Sequence, residues 1–136
     1  MNLVVEKSEQ YVLLTVKQNA IDVDLAAQIE KNIAGLYSGE GKINFIINLD
    51  EVKDISEKGH LLFTKVQKIC VNESGLLVLV TKSVDLLDNI LSQTEESLLV
   101  LPTNEEGVDA IFMNELENDF KEEQDDEFGF DNESDY

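Results

Sequence analysis

Hydrophobic positions along the chain fall into two patterns, short continuous runs and stripes at helical spacing. Two strand-like runs open the sequence, at 3–6 and 11–16, and the polar residues between them suit a hairpin turn. Two later runs, at 43–49 and 75–81, are apolar enough to be strands buried within a sheet, and a third, at 98–101, is a short strand closed by Pro102. The sequence therefore predicts five strands.

Between these runs, apolar residues recur every three or four positions, which is the spacing of one face of a helix. Such stripes lie at 25–37, 62–70, 84–91 and 108–120 and predict four helices. The resulting order of elements is ββαβαβαβα. Because parallel strands need helical crossovers between them, this order predicts an α/β fold with a mostly parallel or mixed sheet of about five strands and about four helices.

The turn at 50–59 follows the central strand, and the carboxyl ends of strands are where such sheets favour ligands and partners. Asp54 followed by Glu57 resembles a capping box with Asp in place of Ser or Thr. Alternatively, Ser56 caps the next helix and Glu57 lies in its first turn. In both cases the helix N-terminus favours an anion at this turn by about 0.3–1 kcal/mol. Helix capping and tight packing around Gly59 remain open as the simpler interpretation.

Two motifs within this order of elements point to a known family. The first is Val52-x-x-Ile55 at the end of a buried strand, followed by the start of a helix at 56–59. The second is the segment LPTNEEGVDAIF at 101–112. Together they resemble the STAS domain of bacterial anti-sigma factor antagonists, of the type found in Bacteroidetes-like bacteria. The resemblance covers roughly residues 3–120.

The phosphorylation motif of that family is changed in this sequence. In the family, the turn typically reads apolar-Asp-Ser-(Ser or Thr)-Gly, and a partner kinase that is also an anti-sigma factor phosphorylates the first Ser. An alignment anchored on Ile55 and Gly59 places the family's Asp on Ser56, its phosphoserine on Glu57 and its next hydroxyl on Lys58. Glu57 has no hydroxyl, so the resemblance implies a built-in phosphomimic that is not phospho-switched in the usual way. Ser56 is a candidate displaced phosphoacceptor.

The resemblance implies a non-enzymatic protein-interaction domain that sequesters an anti-sigma factor or switch kinase of the serine-kinase type. An isolated STAS domain is expected to be a monomer or a weak dimer. Two alternatives remain open: a non-switching STAS subunit of a larger assembly such as a transporter complex, and an acidic decoy whose tail occupies a basic site. The predicted partner-binding residues are Asp54, Ser56, Glu57, Lys58, Gly59 and His60.

Negative charge is concentrated at the C-terminus. The 136-residue chain has a formal net charge of -19 at pH 7, and residues 104–136 contribute -13 of it, from 14 acidic residues and one Lys. We therefore divide the chain into a STAS-like domain at 1–121 and an acidic tail at 122–136, which like-charge repulsion should keep disordered. An acidic surface with no Arg repels phosphates and anionic lipids, so we expect neither nucleic-acid binding nor direct membrane binding.

The chain has one cysteine, Cys70, and one histidine, His60, which excludes an internal disulfide and a multi-histidine or thiolate metal site. Cys70 lies on an apolar stripe and is predicted to be a buried small hydrophobe, whereas His60 is predicted to be a surface side chain. No nucleotide-binding or catalytic motif is present, so we expect no metal, no cofactor and no catalysis. No apolar run reaches the roughly 20 residues of a membrane span and no signal pattern opens the chain, which predicts a cytoplasmic location.

Overall fold

The computed structural model describes residues 2–94 and 98–127 of the chain. The five predicted strands and four predicted helices are present, and two strands of two residues each are added to the predicted order. In chain order, the elements are β1 (Leu3–Lys7), β2 (Val12–Val16), β3 (Ala20–Ile21), α1 (Val23–Glu40), β4 (Asn44–Asn48), β5 (Asp54–Ile55), α2 (Glu57–Asn72), β6 (Leu76–Val80), α3 (Val84–Gln93), β7 (Leu99–Leu101) and α4 (Asn104–Glu127).

Five strands form one mixed sheet in the order β1-β2-β4-β6-β7. β1 and β2 are an antiparallel hairpin, and each of the other three neighbouring pairs is parallel. The parallel pairs follow from the helices between them, because a chain that crosses back along a helix re-enters the sheet in the same direction. The predicted fold class is confirmed.

Helices cover the sheet on both faces. On one face, α1, α2 and α3 form the larger part of the core against the inward side chains of the strands. On the other face, α4 packs through Ile111 against β4 and β6. β4 is buried at all of its positions, as predicted for a central strand. The largest buried side chains include Leu14, Ile29, Phe45, Ile47, Phe63, Leu77 and Leu79.

The two short strands hold the turn before α2 in place. β3 and β5 pair in parallel, with Ile21 opposite Ile55. The ladder continues on both sides, because the Lys53 amide donates to the carbonyl of Asn19 at 2.7 Å and the Ser56 amide donates to that of Ile21 at 2.9 Å. The turn is therefore fixed to the chain that enters α1, and it is not a free loop.

α4 is about 36 Å long at 1.5 Å per residue and passes the predicted domain boundary at residue 121. The backbone at 122–127 is thus helical, where the sequence predicts a disordered acidic tail. Glu, Gln and Lys are good helix formers, and extending an existing helix avoids the cost of nucleation. The rest of the predicted tail, 128–136, lies outside the described residues, and the boundary itself stays a prediction.

The apolar stripe predicted at 108–120 faces the sheet only in its first part, where Ile111 is fully buried. Beyond that point the sheet side of α4 is polar: the amides of Asn114 and Asn118 donate to the carbonyl of Ser74 at 3.0 and 2.7 Å. These bonds fix the rotation of the helix and turn the later apolar residues away from the core. The exposed residues are Phe112, Met113, Leu116 and Phe120.

Candidate functional site

Ser56 is the N-cap of α2. Its backbone is extended, its Oγ accepts a hydrogen bond from the Gly59 amide at 3.2 Å, and its carbonyl accepts one from the His60 amide at 3.1 Å. Glu57 is therefore the first residue of the helix, and Asp54 lies in β5 instead of capping it. Of the two caps that the sequence left open, the Ser56 cap is the one observed.

The charged side chains of the turn are exposed to solvent. Asp54, Glu57 and Lys58 are all exposed. Within residues 2–94 and 98–127, the Glu57 carboxylate takes part in no ion pair or hydrogen bond. It lies at the positive end of the α2 dipole, which favours a carboxylate there by about 0.3–1 kcal/mol. The start of α2 thus presents a local negative charge that a partner can reach.

Gly59 is explained by close packing. It is buried, and a Cβ added to it would lie 2.6 Å from Cγ2 of Ile55 and 3.2 Å from Cγ2 of Ile21. Because both contacts belong to the short β3–β5 pair, a residue with a side chain would push α2 away from the turn. This finding supports the packing interpretation of Gly59.

His60 is buried, with 6% of its surface exposed, so the expectation of a surface side chain is wrong. Its ring lies edge-on to that of Phe63 at 6.4 Å, and its Nδ1 has no hydrogen-bond partner within the described residues. Burial lowers the pKa of His60, and the Asn89 side chain, which can hydrogen-bond the imidazole, opposes part of this effect. The neutral imidazole is therefore favoured, and His60 contributes packing and polarity to the wall of a cleft.

A cleft of about 720 Å³ lies between α2 and α3, next to Glu57. Its wall mixes charged, amide and hydroxyl groups with two apolar side chains, one of which, Leu61, is 58% exposed. Such a mixed surface can take both apolar and polar groups of a partner. The lining residues are Ile55, Glu57, His60, Leu61, Thr64, Lys68, Asn89, Gln93 and Thr94.

No protein-family model and no curated protein matches the chain. Solved structures do match it: the unphosphorylated anti-sigma factor antagonist SpoIIAA has a TM-score of 0.66 and 15% identity, over 80% of this chain and 96% of that chain. The chain has the STAS fold. An anti-sigma factor antagonist from Mycobacterium paratuberculosis has a TM-score of 0.67 and 18% identity, over 80% of this chain and 92% of that chain. A serine-to-glutamate variant of RsbS from Moorella thermoacetica has a TM-score of 0.69 and 10% identity, over 82% of this chain and 95% of that chain.

The STAS resemblance stated from the sequence is thus confirmed for the fold. Identities between 10% and 18% carry no residue roles, so the likeness to Bacteroidetes-like proteins and the alignment of Glu57 with a phosphoserine stay predictions. The geometry alone shows which predicted site residues come together in this chain. Asp54, Glu57 and Lys58 are exposed, Ser56 is half-buried, and Gly59 and His60 are buried.

The sequence reasoning missed the cleft and the residues that α3 contributes to it, Asn89 and Gln93. One signal was available. Leu61 is a large apolar residue outside the stripe that places α2 on the sheet, and an apolar residue on the polar side of a helix often marks a contact surface. The position of α3 across α2 could not be deduced, because helical periodicity gives the faces of a helix and not its neighbours.

Cys70 is fully buried, and burial raises its pKa to about 12, as expected for an inert small hydrophobe. Within the described ranges 2–94 and 98–127, no three or more His, Cys, Asp or Glu side chains are grouped so that they could hold a metal ion. In the same part of the chain, no helix combines the length and the apolar character needed to cross a bilayer.

Proposed function

We propose that this STAS domain is a non-enzymatic protein-binding module of the anti-sigma factor antagonist type. Its partner is an anti-sigma factor or a serine-kinase-like switch protein, which the domain sequesters so that a sigma factor is released. One observation carries the proposal: in a fold shared with solved anti-sigma factor antagonists, the turn before α2 is exposed and held rigid by the β3–β5 pair. A rigid surface loses little conformational entropy on binding, which favours recognition.

The proposed docking surface joins the turn, the first half of α2 and the cleft beside α3. Glu57 and Lys58 give it charge, and the exposed Leu61 gives it an apolar centre next to the cleft. Protein interfaces commonly combine an apolar centre with a polar rim, and this arrangement fits that pattern. His60 is buried in the cleft wall and supports this surface from beneath.

Glu57 gives this surface a negative charge that needs no kinase. The carboxylate carries one charge, whereas a phosphoserine would carry about 1.5 to 2. The Ser56 hydroxyl is half-buried and its oxygen already caps α2, so it is less accessible to a kinase than a free serine side chain. We infer that the surface is not switched by phosphorylation of the turn and that its affinity for the partner is set genetically.

The test begins with a photoreactive residue at Lys58, which is exposed next to Glu57 on the proposed surface. The partner that cross-links in the native cell is purified, and its Kd is measured for the unmodified chain and for Glu57→Gln. Since charges at an interface rim are worth about 0.2–1 kcal/mol, we expect Kd to change by up to about fivefold.

The chain offers a matched control in Asp85, an exposed acidic residue in the first turn of α3. Asp85→Asn also removes one negative charge at a helix N-terminus, but outside the cleft lining, so Kd should stay unchanged. Equal effects of Glu57→Gln and Asp85→Asn would show that only net charge matters and would contradict the proposed surface. Phosphate found on Ser56 in protein from the native cell would contradict the unswitched state.

The second candidate is a non-switching STAS subunit of a larger assembly such as a transporter complex. The observation that favours it is that position 57 has no hydroxyl, because a purely structural subunit needs no phosphoacceptor. Size-exclusion chromatography of native extract separates the two proposals. A stable assembly that contains membrane proteins supports the subunit, whereas a monomer, a weak dimer or a complex with a kinase-fold protein supports the antagonist.

A further inference from the structure

The outer side of α4 carries four large apolar side chains close together. They are Phe112, Met113, Leu116 and Phe120, here named the α4 stripe, and they are 42%, 58%, 62% and 60% exposed. Their spacing along the chain places them on one side of the helix. An exposed apolar strip of this kind is the pattern by which a helix docks onto another protein.

The opposite side of α4 prevents the α4 stripe from turning inward. Ile111 belongs to the same buried cluster as Ile46, and the Asn118 side-chain amide donates to the carbonyl of Ser74. Leu116 is five residues from Ile111, so it lies about 140° around the helix from that buried residue. The α4 stripe therefore faces away from the sheet, and its exposure shows that no element of the described chain covers it.

The charge around the α4 stripe selects its partner. Between Asn104 and Phe120 the helix has six acidic residues and no basic one. A second copy of the chain would bring the same acids against them, and an anionic lipid surface or a nucleic acid would also be repelled. The acidic residues are Glu105, Glu106, Asp109, Glu115, Glu117 and Asp119.

We propose that the α4 stripe is a docking surface for a basic amphipathic helix of another protein. The apolar face of that helix packs on the α4 stripe, and its flanking Lys and Arg pair with the acids of α4. This surface lies on the face of the sheet opposite α2 and the turn. The proposal is independent of the proposed antagonist function, because the α4 stripe and the docking surface at the turn and α2 have no residue in common.

The test uses a fluorescently labelled peptide of about 18 residues, or five helical turns, with Leu at one helical face and Lys elsewhere. A second peptide has the same composition in scrambled order. Fluorescence anisotropy with the full chain should show the patterned peptide binding about tenfold or more tightly than the scrambled one, because truncating or misplacing apolar anchors costs that much at interfaces.

Two matched variants locate the contact. Leu116→Ser removes the most exposed member of the α4 stripe and should weaken binding of the patterned peptide about tenfold. Leu91→Ser makes the same change on α3, where Leu91 is 51% exposed, and should leave binding unchanged. Both residues are on the surface, so both variants should fold. Equal affinity for the two peptides, or an equal loss of affinity in the two variants, would show that only net charge drives binding. Either result would overturn the proposal.

The competing occupants give different results. A dimer in sedimentation equilibrium that Leu116→Ser dissociates would assign the α4 stripe to a second copy and overturn the proposal.

Deletion of residues 128–136 should leave the affinity for the patterned peptide unchanged. A gain of about tenfold would show that the chain's own C-terminal segment covers the α4 stripe, which also overturns it. In the native cell, a photoreactive residue at Met113 should cross-link to a basic amphipathic segment, and a cross-link to an acidic segment would contradict the proposal.

Discussion

Replacing Gly59 by alanine measures how closely α2 packs against the turn. The added Cβ would lie 2.6 Å from Cγ2 of Ile55 and 3.2 Å from Cγ2 of Ile21, inside the optimal carbon–carbon separation of about 3.5–4.0 Å. Both neighbours are β-branched and stiff at χ1, so neither methyl group can move aside without a shift of the backbone. We expect about 1–3 kcal/mol of strain from this overpacking.

A second effect opposes the strain, because alanine is favoured over glycine in a helix by about 1 kcal/mol. Gly35→Ala isolates that effect, since Gly35 is exposed in α1 and an added Cβ there would meet nothing within 4 Å. Gly35→Ala should therefore raise the free energy of unfolding by up to about 1 kcal/mol. Gly59→Ala should leave it unchanged or lower it by up to about 2 kcal/mol.

The free energy of unfolding of each variant is measured by urea titration followed by circular dichroism and is extrapolated linearly to zero urea. The slope of that free energy against urea concentration should be the same for both variants. The two variants should differ by about 1–3 kcal/mol, with Gly35→Ala the more stable. If Gly59→Ala were as stable as Gly35→Ala, the close approach of α2 to β3 and β5 would be wrong. The packing of α2 on the turn, which helps to hold the proposed docking surface in place, would then lose its support.

Three further predictions concern single side chains. Ser56→Ala should lower the free energy of unfolding by about 1 kcal/mol in urea titrations, and Ser56→Asp, which keeps a capping oxygen, should recover most of it. The buried His60 has a lowered pKa, so the unfolded chain binds its proton more readily; stability should fall as pH drops below about 6.5, and His60→Gln should flatten that part of the curve. The Cys70 thiol, whose pKa burial raises to about 12, should react with a thiol reagent only when the chain unfolds; rapid reaction in native buffer would contradict its burial.

The sheet and its helices could be predicted because each has a long, regular pattern. β4 is buried throughout, with three apolar residues between Asn44 and Asn48, and the stripes of α1 and α2 face the core. The pair β3–β5 could not be predicted, because a strand of two residues such as Asp54–Ile55 is too short to show a period. Its existence depends on tertiary hydrogen bonds, which the hydrophobic pattern does not record.

The candidate site was predicted in part. The exposed positions of Glu57 and Lys58 follow from their place at a helix N-terminus, which the capping pattern located. The burial of His60 depends on Phe63 beside it and on α3, which lies across the cleft. The exposed side of α4 escaped prediction for a related reason: periodicity identifies an apolar side, but the bonds of Asn114 and Asn118 to Ser74 decide which side meets the sheet.

The backbone ladder between β3 and β5 has a consequence for how such a domain can diverge. Main-chain groups make the bonds that hold the loop, for example from Lys53 to Asn19, so its shape does not depend on which side chains point outward. Mutations at Asp54, Glu57 or Lys58 can therefore exchange charges on an unchanged frame. Paralogues could acquire separate interaction partners in this way, one substitution at a time, without passing through a misfolded intermediate.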